Sequence, residues 1–393
     1  MGTLERRPVL AMPEAEPALA AHQAALAALG RRGRLRALAP RTGLDFASND
    51  YLGLAQSDAL RRAAAAALAR GVPVGSGGSR LLRGNHPEHE ALEAEAAALF
   101  RAPAALFFAG GFAANAALVA TLPRRGDLVV HDALIHASVH EGLAATRAQA
   151  VATPHNDAGA VDTAIRRWRA GGGRGRPWIV AETLYSMDGD FAPLDELSAI
   201  AARHDGMLML DEAHATGVFG PGGRGLATGL EGSGNLVTLH TCGKALGAMG
   251  ALVCLPSGLK DYMVNRARGF IYATAPSPLV AAIVRAALRL CVDADDRRAR
   301  LHARIAHVRA ALAGLGLPAT ASQIQKVVLG ADRRAAGVAD RLQASGFDVR
   351  AIRPPTVPEG TARLRIPLTL NVTDAELDAF LAALGDVLQR EPA

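Results

Sequence analysis

The order of short apolar runs constrains the fold of this 393-residue chain more than any other feature. Residues 104–108, 127–131, 178–182, 207–211, 236–240 and 251–254 are strand-length runs dominated by Val, Leu, Ile, Phe, Met and Ala. Helical segments separate most of them. Apolar runs without polar alternation belong to strands buried on both faces, and strands that alternate with helices build a parallel sheet covered on both sides. The expectation is an α/β fold with a large, mostly parallel sheet. From about residue 278 the rhythm changes. A long helix to about 314 precedes strand 326–329, helix 333–345, strands 349–352 and 362–368, and helix 374–389. Thr373, with Glu376 three residues on, spells a capping box for that last helix. This part reads as a smaller C-terminal α+β domain. The expected divisions are an N-terminal helical segment over 1–48 (helix 14–29, closed by Gly30), a large α/β domain over 49–285 and a small domain over 286–393.

Open α/β sheets bind ligands just beyond the carboxyl ends of their strands. Here those ends carry chemistry. Run 207–210 leads into Asp211, Glu212, Ala213 and His214. Run 236–240 leads into Thr241, Cys242, Gly243 and Lys244, and run 178–181 into Glu182, with Ser186 shortly after. A lysine in an apolar setting loses its ammonium charge readily and can form an imine. An aspartate set against a pyridine nitrogen keeps it protonated, which makes the ring an electron sink. His214 is close enough to Asp211 to address the same ring. Thr241 and the amides after its strand suit a phosphate, as does Ala109-Gly110-Gly111-Phe112, which follows a strand and opens a helix. Blander readings stand beside these. A lone Asp after a strand is more often a helix cap. The Asp-Glu-Ala-His tetrad also occurs in helicases, but no phosphate-loop signature precedes it. His131, His136 and His140 lack the glutamate-bearing pattern of a zinc site, so no metal is expected.

Charge and composition narrow the partners. The formal charge is +6, yet the only lysines are Lys244, Lys260 and Lys326, and arginines interleave with acids almost everywhere. That pattern describes an ion-paired surface rather than a nucleic-acid stripe, and aromatics, at 4%, are too few for base stacking. No run is long enough to span a bilayer, and acidic Glu5, Glu14 and Glu16 break up any leader-like start. Cys242, Cys254 and Cys291 form no pair motif, which suits a reducing cytoplasm.

Taken in order, the motifs resemble the α-oxoamine synthases, a branch of the fold-type I pyridoxal-phosphate enzymes. They are Ser48-Asn49-Asp50-Tyr51-Leu52-Gly53-Leu54, the glycine loop from Gly75 to Arg80, Asp132-Ala133-Leu134-Ile135-His136-Ala137-Ser138, Ser186-Met187-Asp188-Gly189-Asp190, Asp211-Glu212-Ala213-His214, Thr241-Cys242-Gly243-Lys244 and Ile352-Arg353-Pro354-Pro355-Thr356-Val357-Pro358. The resemblance implies a fold-type I transferase using pyridoxal 5'-phosphate (PLP). It implies Lys244 as the imine-forming lysine, Asp211 at the ring nitrogen, His214 and Ser186 near the phenolic oxygen, and His136 stacked on the ring. Glu182 would line the same cofactor pocket. Thr241 and the Gly111 and Phe112 amides would hold the phosphate, joined by Thr274 of a second subunit in a homodimer. Asn49 and Arg353 would bind carboxylate, with Thr356 beside the substrate and Arg36 meeting the acyl group. The stretch around Arg353 is most similar to the biotin-pathway branch, which implies condensation of L-alanine with a pimeloyl thioester carried by coenzyme A or acyl carrier protein. Two departures stand out. Asn85-His86-Pro87 replaces a serine-glycine type of turn, and Ala273 stands where the family has a second phosphate-binding hydroxyl. Siblings using glycine, serine or another acyl thioester share the same motifs, and a binding module that kept the fold without catalysis is the reading of another class.

Overall fold

The computed structural model describes residues 17–38 and 40–390. A two-residue strand, β1 (Leu44–Asp45), comes first. The large sheet then takes β2 (Ala104–Phe108), β3 (Leu128–Asp132), β4 (Gln149–Thr153), β5 (Pro177–Glu182), β6 (Met207–Asp211), β7 (Leu236–Thr241) and β8 (Ala251–Leu255). Their spatial order is β2-β8-β7-β6-β5-β3-β4. Within this sheet β8 alone runs against its neighbours β2 and β7, and the other pairings are parallel. The long apolar runs are explained by burial on both faces. Val129, Trp178, Val180, Met207 and Met209 enter the core on one side, while Leu128, Val130, Ile179, Leu208 and Leu210 enter the core on the other. Each such side chain contributes roughly 1.5–3 kcal/mol by leaving water.

The C-terminal part holds β9 (Ile324–Gly330), β10 (Phe347–Asp348), β11 (Arg350–Ile352) and β12 (Ala362–Pro367). Strands β11, β12 and β9 form an antiparallel sheet in that order. Helices Asp332–Ala344 and Asp374–Gln389 accompany it, the second opened by the Thr373–Glu376 capping box. β10 pairs in parallel with β1, and Phe46 stacks on Phe380 with ring centroids 4.0 Å apart. The chain at 44–46 is thus part of the small domain's packing, although it precedes the large one.

Several expectations shift. The helix expected over 14–29 runs Ala20–Arg31 after a turn of 3-10 helix at Pro17–Leu19, and residues 14–16 lie outside the described residues. The long helix expected from 278 to 314 is two helices, Pro278–Val292 and Asp295–Gly314. No glycine or proline marks the break. Arg298 makes it, donating to the carbonyl oxygens of Cys291 (2.5 Å) and Val292 (3.0 Å) at the first helix's end. Residue 285, the expected seam between domains, falls inside the first of these helices. Strand β4 went unforeseen because it is a largely solvent-facing edge strand, reading Gln-Ala-Val-Ala-Thr without an apolar run. Among the described residues no helix is long and apolar enough to cross a membrane.

Candidate active site

The parallel register brings the carboxyl ends of three strands level. Glu182 of β5 lies beside Asp211 of β6, and Asp211 beside Leu239 of β7, two residues before Thr241. Lys244 follows in the turn after β7. Its Nζ is 2.7 Å from His214 Nε2. Burial pushes the Lys244 ammonium down to about 8, against the opposing pull of Asp211 and Glu182. His214 is depressed well below the usual imidazole range, first by burial and then by the lysine's charge. Glu182 goes the other way, up to about 8, through burial and the neighbouring Asp211 charge. One of its oxygens accepts the Ser186 amide at 3.0 Å, while the other, Oε1, is buried without a protein partner.

Two chains of hydrogen bonds extend from this centre. In the first, Asn115 donates to Asp211 Oδ2 (2.6 Å) and to Ser138 Oγ (3.0 Å). The Ser138 amide donates to His136 Nδ1 at 3.2 Å, and its hydroxyl lies 2.7 Å from the same nitrogen. Nδ1 is therefore the acceptor, and the His136 proton sits on Nε2. The ring stands at the mouth of the site, edge to face with Phe112. In the second chain, Tyr51 Oη is 2.5 Å from His214 Nδ1 and donates to Asn49 Oδ1 at 3.0 Å. Arg365 also donates to Asn49 Oδ1 (2.9 Å) and to the Ser186 carbonyl (2.6 Å). With the Tyr51 proton committed to Asn49, His214 donates from Nδ1, which leaves Nε2 as the acceptor facing Lys244.

Tyr51 and Ser138 fall within the sequence motifs but without a role there, and Asn115 and Arg365 lie outside every motif. Asn115 offered one signal, as a polar residue inside a helix, Gly111–Thr121, that is otherwise apolar up to its terminal Thr121. Arg365 offered none, because a lone arginine in a strand of the small domain carries no motif. It is buried, with NH2 lacking a protein partner.

The other expected residues divide between the start of helix Gly111–Thr121 and a rim. Helix Gly111–Thr121 begins without a side-chain cap, and a Cβ added at Gly111 would meet Thr241 Oγ1 at 3.6 Å. Free amides at a helix start beside a hydroxyl suit a phosphate. Together with a half-buried lysine of lowered basicity and a buried aspartate, they fit a phosphorylated pyridine aldehyde in every part. Arg36, Arg353 and Thr356 gather elsewhere, lining one cavity with Arg34. Arg36 donates to Thr356 Oγ1 at 3.3 Å, and Arg353 donates to the Gly33 carbonyl. Arg353 is not bonded to Asn49, whose guanidinium partner is Arg365. Thr274 is exposed, next to exposed Tyr272 and to the glycine loop, where the Ala275 amide donates to the Gly78 carbonyl at 2.9 Å. Among the described residues no group of three His, Cys, Asp or Glu side chains is arranged to hold a metal.

Comparison with known proteins decides the family. Residues 41–384 match aminotransferase class I and II. The chain belongs to that family. It is 44% identical over 382 residues to 8-amino-7-oxononanoate synthase of Anaeromyxobacter dehalogenans (strain 2CP-1), covering 94% of each chain. The enzyme of the same name from Methylococcus capsulatus is 42% identical over 360 residues, 90% of each. Among solved structures, serine palmitoyltransferase from S. paucimobilis with a bound PLP–myriocin aldimine superposes with TM-score 0.86 at 27% identity, covering 95% of this chain and 98% of that one. The 8-amino-7-oxononanoate synthase of Francisella tularensis gives 0.75 at 28%, over 88% and 98%. This family member thus has the fold-type I architecture expected from its sequence, a mixed seven-stranded sheet with a smaller antiparallel sheet at the C-terminus.

Proposed function

We propose that this chain is a PLP-dependent α-oxoamine synthase of biotin biosynthesis, condensing L-alanine with a pimeloyl thioester and releasing carbon dioxide and the carrier thiol. The observation that carries the reading is Lys244, half-buried, lowered in basicity and within hydrogen-bond reach of His214 at the strand ends that also bear Asp211. The 44% identity to 8-amino-7-oxononanoate synthase selects this reaction within the family.

When bound, PLP supplies an aldehyde for the lysine and a protonated ring that stores the electron pair released at the amino acid's Cα. The chain's own residues do the rest. Asp211, held by Asn115 and by the Ala213 amide (2.8 Å), keeps the ring nitrogen's proton. Lys244 takes and returns the proton at Cα. His136 would cover the ring and offer its Nε2 proton to the acyl carbonyl oxygen as charge develops there. His214 and Ser186 would face the ring's phenolic oxygen, with Glu182 lining the same pocket. The Gly111 and Phe112 amides and Thr241 hold the phosphate. The amino acid's carboxylate goes to Asn49 and to Arg365, whose NH2 is unpartnered. Arg36, Arg353 and Thr356 receive the acyl substrate at the rim.

A homodimer completes the site. Val74, Leu82, Tyr272, Phe112 and Met249 are large apolar side chains more than half exposed, all in segments next to the glycine loop, the start of helix Gly111–Thr121 or the Lys244 turn. A second copy covering them would bring its Thr274 to the phosphate. The buried free thiols Cys242, Cys254 and Cys291 suit a cytoplasmic setting.

The test is thiol release with alanine, glycine and serine against pimeloyl and longer acyl thioesters of coenzyme A and acyl carrier protein. Serine and long chains are included because serine palmitoyltransferase superposes so closely. Turnover with alanine and a pimeloyl donor is expected. Turnover only with another amino acid or chain would overturn the assignment while leaving the chemistry of Lys244 intact.

A further inference from the structure

His155 lies just beyond β4, outside every motif that marks the site. Yet it sits between the two loops that carry His136 and Ser186. Asp132, the last residue of β3, opens the loop to His136. Asp190 closes the loop that begins at Ser186. His155 Nδ1 is 3.0 and 3.1 Å from the two carboxylate oxygens of Asp132, and its Nε2 is 2.9 Å from Asp190 Oδ2. Ionised carboxylates only accept hydrogen bonds, so both ring nitrogens must donate, and a ring with two N–H groups is an imidazolium. A neutral ring would turn a lone pair toward one carboxylate.

The surroundings make this a joint rather than a chance contact. The Leu134 amide donates to Asp132 Oδ1 at 2.7 Å, and the Asn156 amide donates to Oδ2 at 2.8 Å, fixing the first carboxylate. The Asn156 side chain donates to Asp190 Oδ2 (3.2 Å) and to the Phe191 carbonyl (3.1 Å), tying down the second. Tyr185 presents a ring perpendicular to His155, with centroids 4.5 Å apart. Asp132, Asp190 and the Tyr185 phenol are the titratable groups facing the imidazole. On its far side the same loop is held by Lys326 and Arg363, both bonded to Asp188 (2.5 and 2.7 Å). Gly189 there has φ +71°, and a Cβ would run into the Ile324 carbonyl oxygen, so the loop packs its backbone directly against the start of β9.

We propose that His155 is a positioning residue that locks the His136 loop to the Ser186 loop by donating from both ring nitrogens to Asp132 and Asp190. The proposal rests on the reading of these loops as walls of the cofactor site. Burial alone would discharge this imidazole, but the two carboxylates win and push it up to about 10. A folded value above the unfolded one stabilises the protein fully below the ordinary histidine range, and that stabilisation disappears only as pH rises through about 10. Across the working range the joint therefore stays closed.

The experiment uses full-length protein loaded with PLP and has two arms. In wild type, nitrogen-15 histidine spectra assigned by loss of the His155 signal in His155→Gln should show both ring nitrogens protonated from about pH 6 to 9. A His155 that titrates within that window would overturn the proposal, and loss of the same signal in His155→Arg assigns it if His155→Gln does not fold. In the second arm, His155→Gln should still take up PLP but change the visible circular dichroism of the bound cofactor and lower kcat by on the order of tenfold or more. His155→Arg, which restores a charged two-pronged donor, should recover the wild-type band. A lowered melting temperature with an unchanged cofactor band and kcat would leave His155 a merely structural residue and overturn the proposal. Failure of the cofactor reading looks different: wild type itself stays colourless with PLP, which would overturn both.

Discussion

The floor of the site and its rim are built on different principles. On the floor, Asp211, His214, Asn115, Tyr51 and Arg365 are buried or nearly so, and each holds its neighbour by a hydrogen bond of 2.5–3.0 Å. At the rim, Arg36 and Thr356 are exposed and share one bond of 3.3 Å. Interlocked polar groups away from water are costly to leave unpaired, so a floor of this kind tolerates little change. Exposed groups can be exchanged at small cost. On the proposed function, the floor would carry the chemistry and the rim the choice of acyl partner.

That contrast orders the expected effects of substitution. Asp211→Ala should be the most damaging, lowering kcat by roughly a hundred- to a thousandfold while some PLP still binds, because the ring nitrogen loses the partner that keeps its proton. Steady-state turnover beside a cofactor titration measures both, and wild-type turnover would remove Asp211 from its assigned role. Asn115→Ala should come next. It leaves Asp211 Oδ2 without its donor and frees Ser138, and the loss of a hydrogen bond to a charged group, about 1.5–3 kcal/mol, corresponds to roughly ten- to a hundredfold in kcat. A change in KM alone would show that the floor is less coupled than its bonds suggest. Arg36→Ala should do least, raising KM for the acyl thioester severalfold with kcat near wild type and the response to alanine unaltered. A large fall in kcat there would erase the distinction between floor and rim.

How much of this was legible in the sequence follows the same division. The sheet could be read because strands buried on both faces must be continuously apolar, as at Met207–Asp211 and Pro177–Glu182. Lys244, Asp211 and His214 could be singled out because each closely follows such a strand. The edge strand Gln149–Thr153 could not, since solvent on its side chains removes the pattern. Arg365 and His155 were hidden for another reason. Their importance comes from what they meet across the fold, Asn49 and Ser186 for one, Asp132 and Asp190 for the other, and no local spacing encodes those meetings. The division of the helix at Asp293 was equally invisible, made by the Arg298 side chain rather than by a breaker residue.

Lys244 is the residue proposed to bind the cofactor. Borohydride reduction of the PLP-loaded protein, followed by peptide mass spectrometry, tests that directly, because the chain offers only Lys244, Lys260 and Lys326. Lys260 is paired with Glu93 at 3.3 Å and Lys326 with Asp188 at 2.5 Å, both as salt bridges. The phosphopyridoxyl mass should appear on the peptide containing Lys244 and nowhere else. A label on Lys260 or Lys326, or no label on a protein that turns over substrate, would contradict the account.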